Sequence, residues 1–287
     1  MTGWVWLGRI FGFVGLFFVL AVAPFQVLAL VGVSVVAGLG AQSVLTLLAA
    51  AALASWVFQV KVSRRPFTAL GLPGGVVAIR QVLAGTALGV VLIGAVVVVF
   101  AATGWVSWAL EPGLGSFLVA GLKLTGLLLA AAFVEELLFR GYPFQILEGR
   151  FGPVVAVLGT SAAFGAMHSW NPNAAPLPLV NITLAGVLLG VAYFRTRSLW
   201  FATGVHLGWN LVMALSDLSV SGLELGMPGI EPTLRGPDIW TGGTFGPEGG
   251  LLVSVVSLIG VTWLWRWSPK DESLSRQIHP DIEGEPR

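Results

Sequence analysis

Ile10 to Val60, IFGFVGLFFVLAVAPFQVLALVGVSVVAGLGAQSVLTLLAAAALASWVFQV, is a run of 51 residues without one ionisable side chain. At 1.5 Å rise per residue, a hydrocarbon core about 30 Å thick takes up roughly 20 helical residues. The run therefore holds two membrane helices. The turn between them is expected at Gly38 and Gly40, because Pro24 lies too early for a complete span and reads as a kink. The rest of the chain has the same character: of 287 residues, 56% are hydrophobic and only 10% are charged, where a soluble domain needs roughly 25% to cover its surface. Soluble enzymes, disordered chains and collagen-like chains are excluded together. The absence of cysteine removes disulfides, thiolate metal sites and a Cys nucleophile.

Further apolar runs continue the series. A third helix fits Val82 to Thr103. A fourth begins near Ser116 and continues through a kink at Pro143 to Glu148. A fifth starts at Pro153, and Asn171, Pro172, Asn173, Pro176 and Pro178 separate it from a sixth that ends near Phe194. Leu199 to Ser216 makes a seventh and Gly249 to Trp265 an eighth. The expectation is an all-α polytopic membrane protein of about eight transmembrane helices. It forms one transmembrane domain over residues 1–267, with a motif-bearing core at about 118–214, and a polar, flexible cytoplasmic tail follows at 268–287.

Orientation follows from where the cations sit, since Lys and Arg concentrate on the cytoplasmic side. Arg9, Lys61, Arg64, Arg65, Arg80, Arg140, Arg150, Arg195, Arg197, Arg266, Lys270, Arg276 and Arg287 fall on the side of the termini, and only Arg235 falls opposite. Glu111, Asp217, Glu224, Glu231, Asp238 and Glu248 occupy the opposite loops. Both termini are expected to be cytoplasmic. Ala21-Val22-Ala23 imitates a signal-peptide cleavage site, but hydrophobicity continues past it and Pro24 would begin the mature chain. Asn181-Ile182-Thr183 matches a glycosylation sequon yet lies within an apolar span. The net charge of +1 gives no sign of a nucleic-acid partner. The outer stretch from Asp217 to Gly250, rich in Gly and Pro, reads as a connector more than as a lid.

Charges inside a bilayer cost about 2.5 to 3.5 kcal/mol each on insertion scales, so those present need a reason. They are Lys123, Glu135, Glu136, Arg140, His168 and His206, accompanied by the amides Asn181 and Asn210. Glu136 and Arg140, four apart, can pair along one helix face. Glu135 is turned about 100° from Glu136, so one acid can be structural while the other works. With the fourth helix continued to Glu148, Glu135 lies roughly 20 Å above that helix's end and His168 about 22 Å above Pro153, a matching depth. His206, at about 12 Å from Ser198, comes within reach if its helix is tilted. Lys123 reads as snorkelling or pairing near the outer end. A lone membrane histidine is usually a packing residue, but Glu, His, and His with Asn on three helices point to a shared cavity.

Three motifs now stand in order: Glu135-Glu136-Leu137-Leu138-Phe139-Arg140, Phe164-Gly165-Ala166-Met167-His168 and His206-Leu207-Gly208-Trp209-Asn210. They resemble the EExxxR, FxxxH and HxxxN motifs of the CPBP intramembrane endopeptidases, which include the CAAX prenyl endopeptidases of the Rce1 type and the bacterial Abi and bacteriocin-processing proteins. The resemblance covers about Leu118 to Ala214. It implies cleavage of a peptide bond in a membrane cavity open to the cytoplasm. Glu135 and His168 would activate a water, and His206 with Asn210 would donate hydrogen bonds to the oxyanion. Glu136, Arg140 and Phe164 would support them. No cofactor is required on this reading, and the missing HExxH helix and the poor ligand Asn210 favour a metal-free site. Zinc held by Glu135, His168 and His206 is the alternative. The implied partners are the lipid bilayer and a peptide or membrane-protein substrate, with or without a prenyl group.

Other classes fit less well. Gly159-Thr160-Ser161-Ala162 loosely matches the GxSG of serine intramembrane proteases but has Ala at its last position. No Asp lies in a proposed span, which disfavours aspartyl intramembrane proteases. A proton-coupled transporter would use the same buried Glu and His residues but calls for inverted repeats, and none is visible. A non-catalytic scaffold or immunity protein would not need every motif residue retained.

Overall fold

The computed structural model describes residues 3–30 and 40–267. In chain order the helices are α1 (Val5–Leu30), α2 (Ala41–Trp56), α3 (Gly75–Ala102), α4 (Leu114–Glu136), α5 (Tyr142–Phe151), α6 (Pro153–Met167), α7 (Pro176–Thr196), α8 (Leu199–Leu215), the single turn α9 (Asp238–Thr241) and α10 (Leu251–Arg266). Among the described residues, five stretches are helical, apolar and long enough to cross a membrane: Val5–Pro24, Ala41–Val62, Phe67–Ala102, Leu114–Phe151 and Pro176–Thr196. The other expected spans are shorter helices, α6 of 15 residues, α8 of 17 and α10 of 16. Pro24 lies inside α1 and Gly40 caps the start of α2. Gly38 and the tail 268–287 lie outside the described residues.

The polytopic helical class stands, with one addition. Strands β1 (Val106–Leu110) and β2 (Ile230–Leu234) pair antiparallel, from Val106 opposite Leu234 to Leu110 opposite Ile230. Two element boundaries also differ from expectation. α3 begins at Gly75, seven residues before Val82, because Arg80 and Gln81 sit in its first turns, where polar side chains reach water or partners and a hydropathy boundary falls too late. The break in the fourth helix is a π-helical turn, Leu137–Gly141, instead of a kink at Pro143. Pro143 occupies the first turn of α5, where a missing N–H removes no helical hydrogen bond.

The tightest packing joins α3 to α8. A Cβ on Gly85 would stand 2.2 Å from the Phe201 carbonyl oxygen, and one on Gly89 would stand 2.2 Å from that of Val205. The relation is reciprocal: a Cβ on Gly204 would meet the Val82 carbonyl oxygen at 2.3 Å and one on Gly208 that of Thr86 at 2.2 Å. Small residues four apart on both helices thus bring two backbones into contact, the association expected where lipid offers no hydrophobic drive between helices. The seam fixes the axial and rotational setting of α8, which carries His206 and Asn210.

The two faces of the bundle are built differently. At the face of the α1 N-terminus, Gln145 donates from Nε2 to the Ala69 carbonyl at 2.7 Å and to Tyr193 Oη at 3.0 Å. Tyr193 Oη donates to the Leu70 carbonyl, and the Ser63 and Tyr142 hydroxyls lie 3.1 Å apart. Arg197 pairs with Glu148 at 2.7 Å and Arg195 donates to the Trp267 carbonyl. The opposite face carries the β1–β2 ribbon, pinned by Trp108 Nε1 donating to the Ser216 carbonyl at 2.9 Å. The segment 216–250 is therefore an ordered cap, not the connector expected from its composition. Its glycines let the chain turn tightly: Gly242 has φ +82° and a Cβ there would stand 1.8 Å from the Gly246 carbonyl oxygen.

Gly204→Val is expected to force α3 and α8 apart and to destabilise the protein by about 1–3 kcal/mol, the usual range for overpacking. Gly94→Ala, whose Cβ would meet nothing within 4 Å, is expected to be neutral or slightly stabilising. Thermal unfolding of both variants in detergent distinguishes them.

Candidate active site

Glu136 is the last residue of α4 and has no exposed surface. Arg140, four residues on in the π turn and equally buried, donates from Nη1 to Glu136 Oε1 at 3.0 Å. Its Nη2 donates to the Gly186 carbonyl of α7 at 2.8 Å. The same Glu136 oxygen accepts from His206 Nδ1 at 3.0 Å, so the Nδ1 proton is the one this contact uses. On the other side of the ring, His206 Nε2 lies 3.8 Å from Glu135 Oε2. The adjacent acids therefore share a partner across the histidine. In order, the chain of groups reads Arg140, Glu136, His206, Glu135, with charge alternating along it when the histidine is protonated. Arg140 also corrects the charge distribution: it is an interior residue and does not belong to the basic face.

Phe164 packs among these groups. Its ring lies under the Arg140 guanidinium at 4.7 Å and against the rings of His168 at 4.5 Å and His206 at 5.9 Å. His168 follows the last residue of α6, and its Nδ1 donates to the Phe164 carbonyl at 2.8 Å. That bond assigns the proton of a neutral ring to Nδ1 and leaves Nε2 as an acceptor. Glu135, unlike its neighbour, keeps 34% of its side chain exposed, and its Oε2 has no hydrogen-bond partner.

Glu135, Phe164, His168, His206 and Asn210 line one pocket of about 140 Å³, room for several water molecules. Polar groups from α4, α6 and α8 are thus gathered in one cavity within the apolar bundle. Its other walls include Leu128 and Ala131 of α4 and Ile182, Ala185, Leu188 and Leu189 of α7. The parts of the wall outside helices α4 to α8 are His168, Asn171, Val220, Ser221, Leu223, Leu225 and Glu248. All seven come from connections on the face opposite the α1 N-terminus. α6 runs from Pro153, next to the α5 end, and reaches His168 only past its last turn, beside these connections.

Glu248 is the functional-site residue that sequence reasoning missed. It is 3% exposed and its carboxylate accepts three hydrogen bonds, from Trp209 Nε1 at 3.0 Å, Ser221 N at 2.6 Å and Ser221 Oγ at 2.7 Å. It ties the cap to the helix that carries His206. Asn181 continues the fastening, donating to the carbonyls of Glu248 and Gly250 at 2.8 and 2.9 Å. The one available signal was an acid immediately before an apolar helix, which reads equally well as a helix N-terminus in water. Lys123, expected to snorkel or pair, is exposed on α4 and makes no ion pair among the described residues. Ser161 has no exposed surface and donates to the Val157 carbonyl of its own helix at 2.6 Å, away from the pocket lining.

A zinc site of Glu135, His168 and His206 does not fit this geometry. Among the described residues no three His, Asp or Glu side chains are arranged to hold a metal ion. His206 Nδ1 is held by Glu136 and His168 Nδ1 by a carbonyl, so Nε2 is the ring nitrogen that each has left.

Residues 117–212 match the family model described as type II CAAX prenyl endopeptidase Rce1-like. The chain carries an Rce1-like domain. The Rce1-like segment runs from α4 into α8 and includes Glu135, Glu136, Arg140, Phe164, His168, His206 and Asn210. It supports a membrane-embedded protease of the CAAX kind acting on a membrane-embedded protein substrate. No match was found among curated proteins or among solved structures.

Removing Arg140 leaves Glu136 buried with only its histidine. Arg140→Met is expected to cost about 3–5 kcal/mol, the usual penalty for orphaning one member of a buried pair. The double variant Glu136→Gln with Arg140→Met should recover part of that loss in thermal unfolding.

Proposed function

We propose that the protein is an intramembrane endopeptidase in which Glu135 and His168 activate a water, and His206 and Asn210 stabilise the oxyanion. The observation that carries this reading is the convergence of those four side chains on one pocket large enough for water and a peptide bond. Glu135 is the partly exposed member of the acid pair and has an unpartnered carboxylate oxygen. His168 Nε2 is an acceptor because Nδ1 is occupied. Each can accept a hydrogen bond from the same water.

In the forward step the base takes one proton of that water as its oxygen bonds to the scissile carbonyl carbon. The carbonyl π electrons move to oxygen and form a tetrahedral oxyanion. Asn210 makes no hydrogen bond among the described residues and can donate its amide N–H to that oxygen. His206 donates from Nε2 in its doubly protonated form, whose charge Glu136 balances at 3.0 Å. Fixed donors in a low-dielectric site stabilise developing charge more than water does. Collapse of the intermediate breaks the C–N bond, and the proton held by the base passes to the leaving amine. Glu136, Arg140 and Phe164 position the histidines and do not touch the reacting atoms.

The distribution of Lys and Arg supports a cytoplasmic position for the basic face and for both termini. The match to Rce1-like proteins supports a peptide-bond substrate within the membrane, and CAAX-type C-terminal processing is the activity of that family's name.

The test is cleavage of a peptide library by the purified full chain in detergent, with and without chelator. Glu135→Gln should lose activity at least 100-fold, in the range for loss of a general base, while unfolding like the parent. Chelator should leave the rate unchanged, and Ser161→Ala should stay within about twofold of the parent. Cleavage that persists in a folded Glu135→Gln protein would end this mechanism.

A further inference from the structure

Resting on the reading of the pocket as a peptidase site, we propose that the extended stretch 223–225 is a binding edge for the substrate. The substrate is then a polypeptide in extended conformation, one residue of which pairs with Glu224 backbone to backbone.

The need for such an edge follows from the size of the pocket. Its volume of about 140 Å³ admits a water and a peptide bond, but sites that enclose a whole ligand measure roughly 300–1,000 Å³. The residues flanking the scissile bond are therefore held at the rim. They must also be extended there, because in a helix the carbonyl is occupied by its own hydrogen bond.

The rim supplies the complement. Ser221, at φ +50°, and Gly222, at φ +83°, form the two-residue turn of a small hairpin. Val220 and Leu223 exchange both backbone hydrogen bonds across it, each at 2.9 Å. Beyond the hairpin the alternation of a strand continues: Leu223 and Leu225 line the pocket, and Glu224 between them is exposed. Successive residues of a strand direct their N–H and C=O to opposite edges, so with Leu223 turned to Val220, Glu224 directs its pair outward. Neither group has a hydrogen-bond partner among the described residues. Gly226, at φ +68°, ends the extended run and leaves one such rung.

The edge is braced before a substrate arrives. Ser221 donates from N and Oγ to Glu248, its carbonyl accepts from Asn171 Nδ2 at 2.9 Å, and Gly222 N donates to the Phe245 carbonyl at 2.9 Å. A Cβ on Gly222 would stand 2.1 Å from the Pro172 carbonyl oxygen, so the turn rests on the connection that follows His168. Preorganisation of this kind lowers the ordering cost of binding. One rung of pairing sets the two neighbours of the paired substrate residue beside Leu223 and Leu225, which favours apolar residues at two positions separated by one. Leu225 also borders a groove of about 550 Å³ between α2 and α4, which gives the chain a course away from the pocket.

The test reads binding apart from cleavage. The full chain carrying Glu135→Gln is titrated in detergent with fluorescent peptides bearing leucine at alternate positions, and anisotropy gives the affinity. Each peptide amide in turn is replaced by an ester, which removes one N–H donor. One ester position should weaken binding about tenfold, the weight of a single hydrogen bond, while its neighbours change little. Adding Glu224→Pro, which lacks the N–H, should weaken binding about tenfold relative to adding Glu224→Ala, which keeps it. In the proline protein the sensitive ester should cost less than about threefold, because the two changes act on one rung. A flat ester scan, or an equal ester cost in the proline and alanine proteins, overturns the pairing, and the scan decides alone if Glu224→Pro does not fold. Cleavage by the parent is scored separately. A protein that binds with the expected pattern and cleaves nothing loses the proposed function and keeps the edge, and one that cleaves with a flat ester scan does the reverse.

Discussion

A carboxylate with no exposed surface, set among membrane helices, persists as an ion only if its neighbours replace water. The cost of stripping hydration from such a group is several kcal/mol even after relaxation. Glu136 answers it through Oε1, which accepts from both Arg140 and His206, and Arg140 in turn reaches Gly186 and the ring of Phe164. One buried anion thereby draws α4, α6, α7 and α8 to a common point. The same arrangement leaves Glu135 unencumbered, because the arginine balances the first acid and not the second. Adjacent, chemically identical side chains thus divide into one that holds the bundle and one that faces the cavity.

The halves of the molecule on either side of that point contrast. Toward the basic face, Gln59, Gln145 and Tyr193 hydrogen-bond to one another and to nearby carbonyls, and Tyr142 pairs with Ser63. Toward the acidic face, the wall of the cavity is made by a folded segment tied to its surroundings by Glu248, Asn171, Asn181 and Trp108. Glu248 is stabilised by three neutral donors instead of a cation, which suits a carboxylate whose task is to anchor backbone. Charge pairing fastens the centre, and hydrogen bonding to uncharged groups fastens the cap.

Much of this was readable in the chain itself, and the reasons are specific. The runs from Ile10 to Val60 and from Phe151 to Phe194 declare membrane helices because hydrocarbon tolerates no exposed backbone polarity. Glu135, His168, His206 and Asn210 stood out because ionisable or amide groups in such runs are rare. Depth arithmetic brought them level once the fourth helix was carried past Arg140. What stayed hidden depends on geometry that no spacing reveals. A π turn at Leu137–Gly141 looks in sequence like any helical stretch. The burial of Glu248 depends on how residues 216–250 fold back, and their glycines and prolines read equally as a loose connector. The small strand pair was missed for the same reason, since five residues such as Ile230–Leu234 carry too little pattern to outweigh the proline among them. The glycines of α3 and α8 were visible as letters, but only the facing carbonyls show what each was for.

Those glycines decide which parts of the protein can move. Where two backbones touch across four positions, turning α8 about its axis would drive Phe201 or Val205 side chains into a gap that admits only hydrogen, and tilting it would tear the contact along its length. The helix with His206 and Asn210 is therefore a fixed wall, a keel to which the rest is rigged. On the proposed peptidase reading, room for an extended chain would come from elements outside that seam, and the cap beyond α8 is one that borders the cavity. His206 and Asn210 would thus hold their register whatever the cap does.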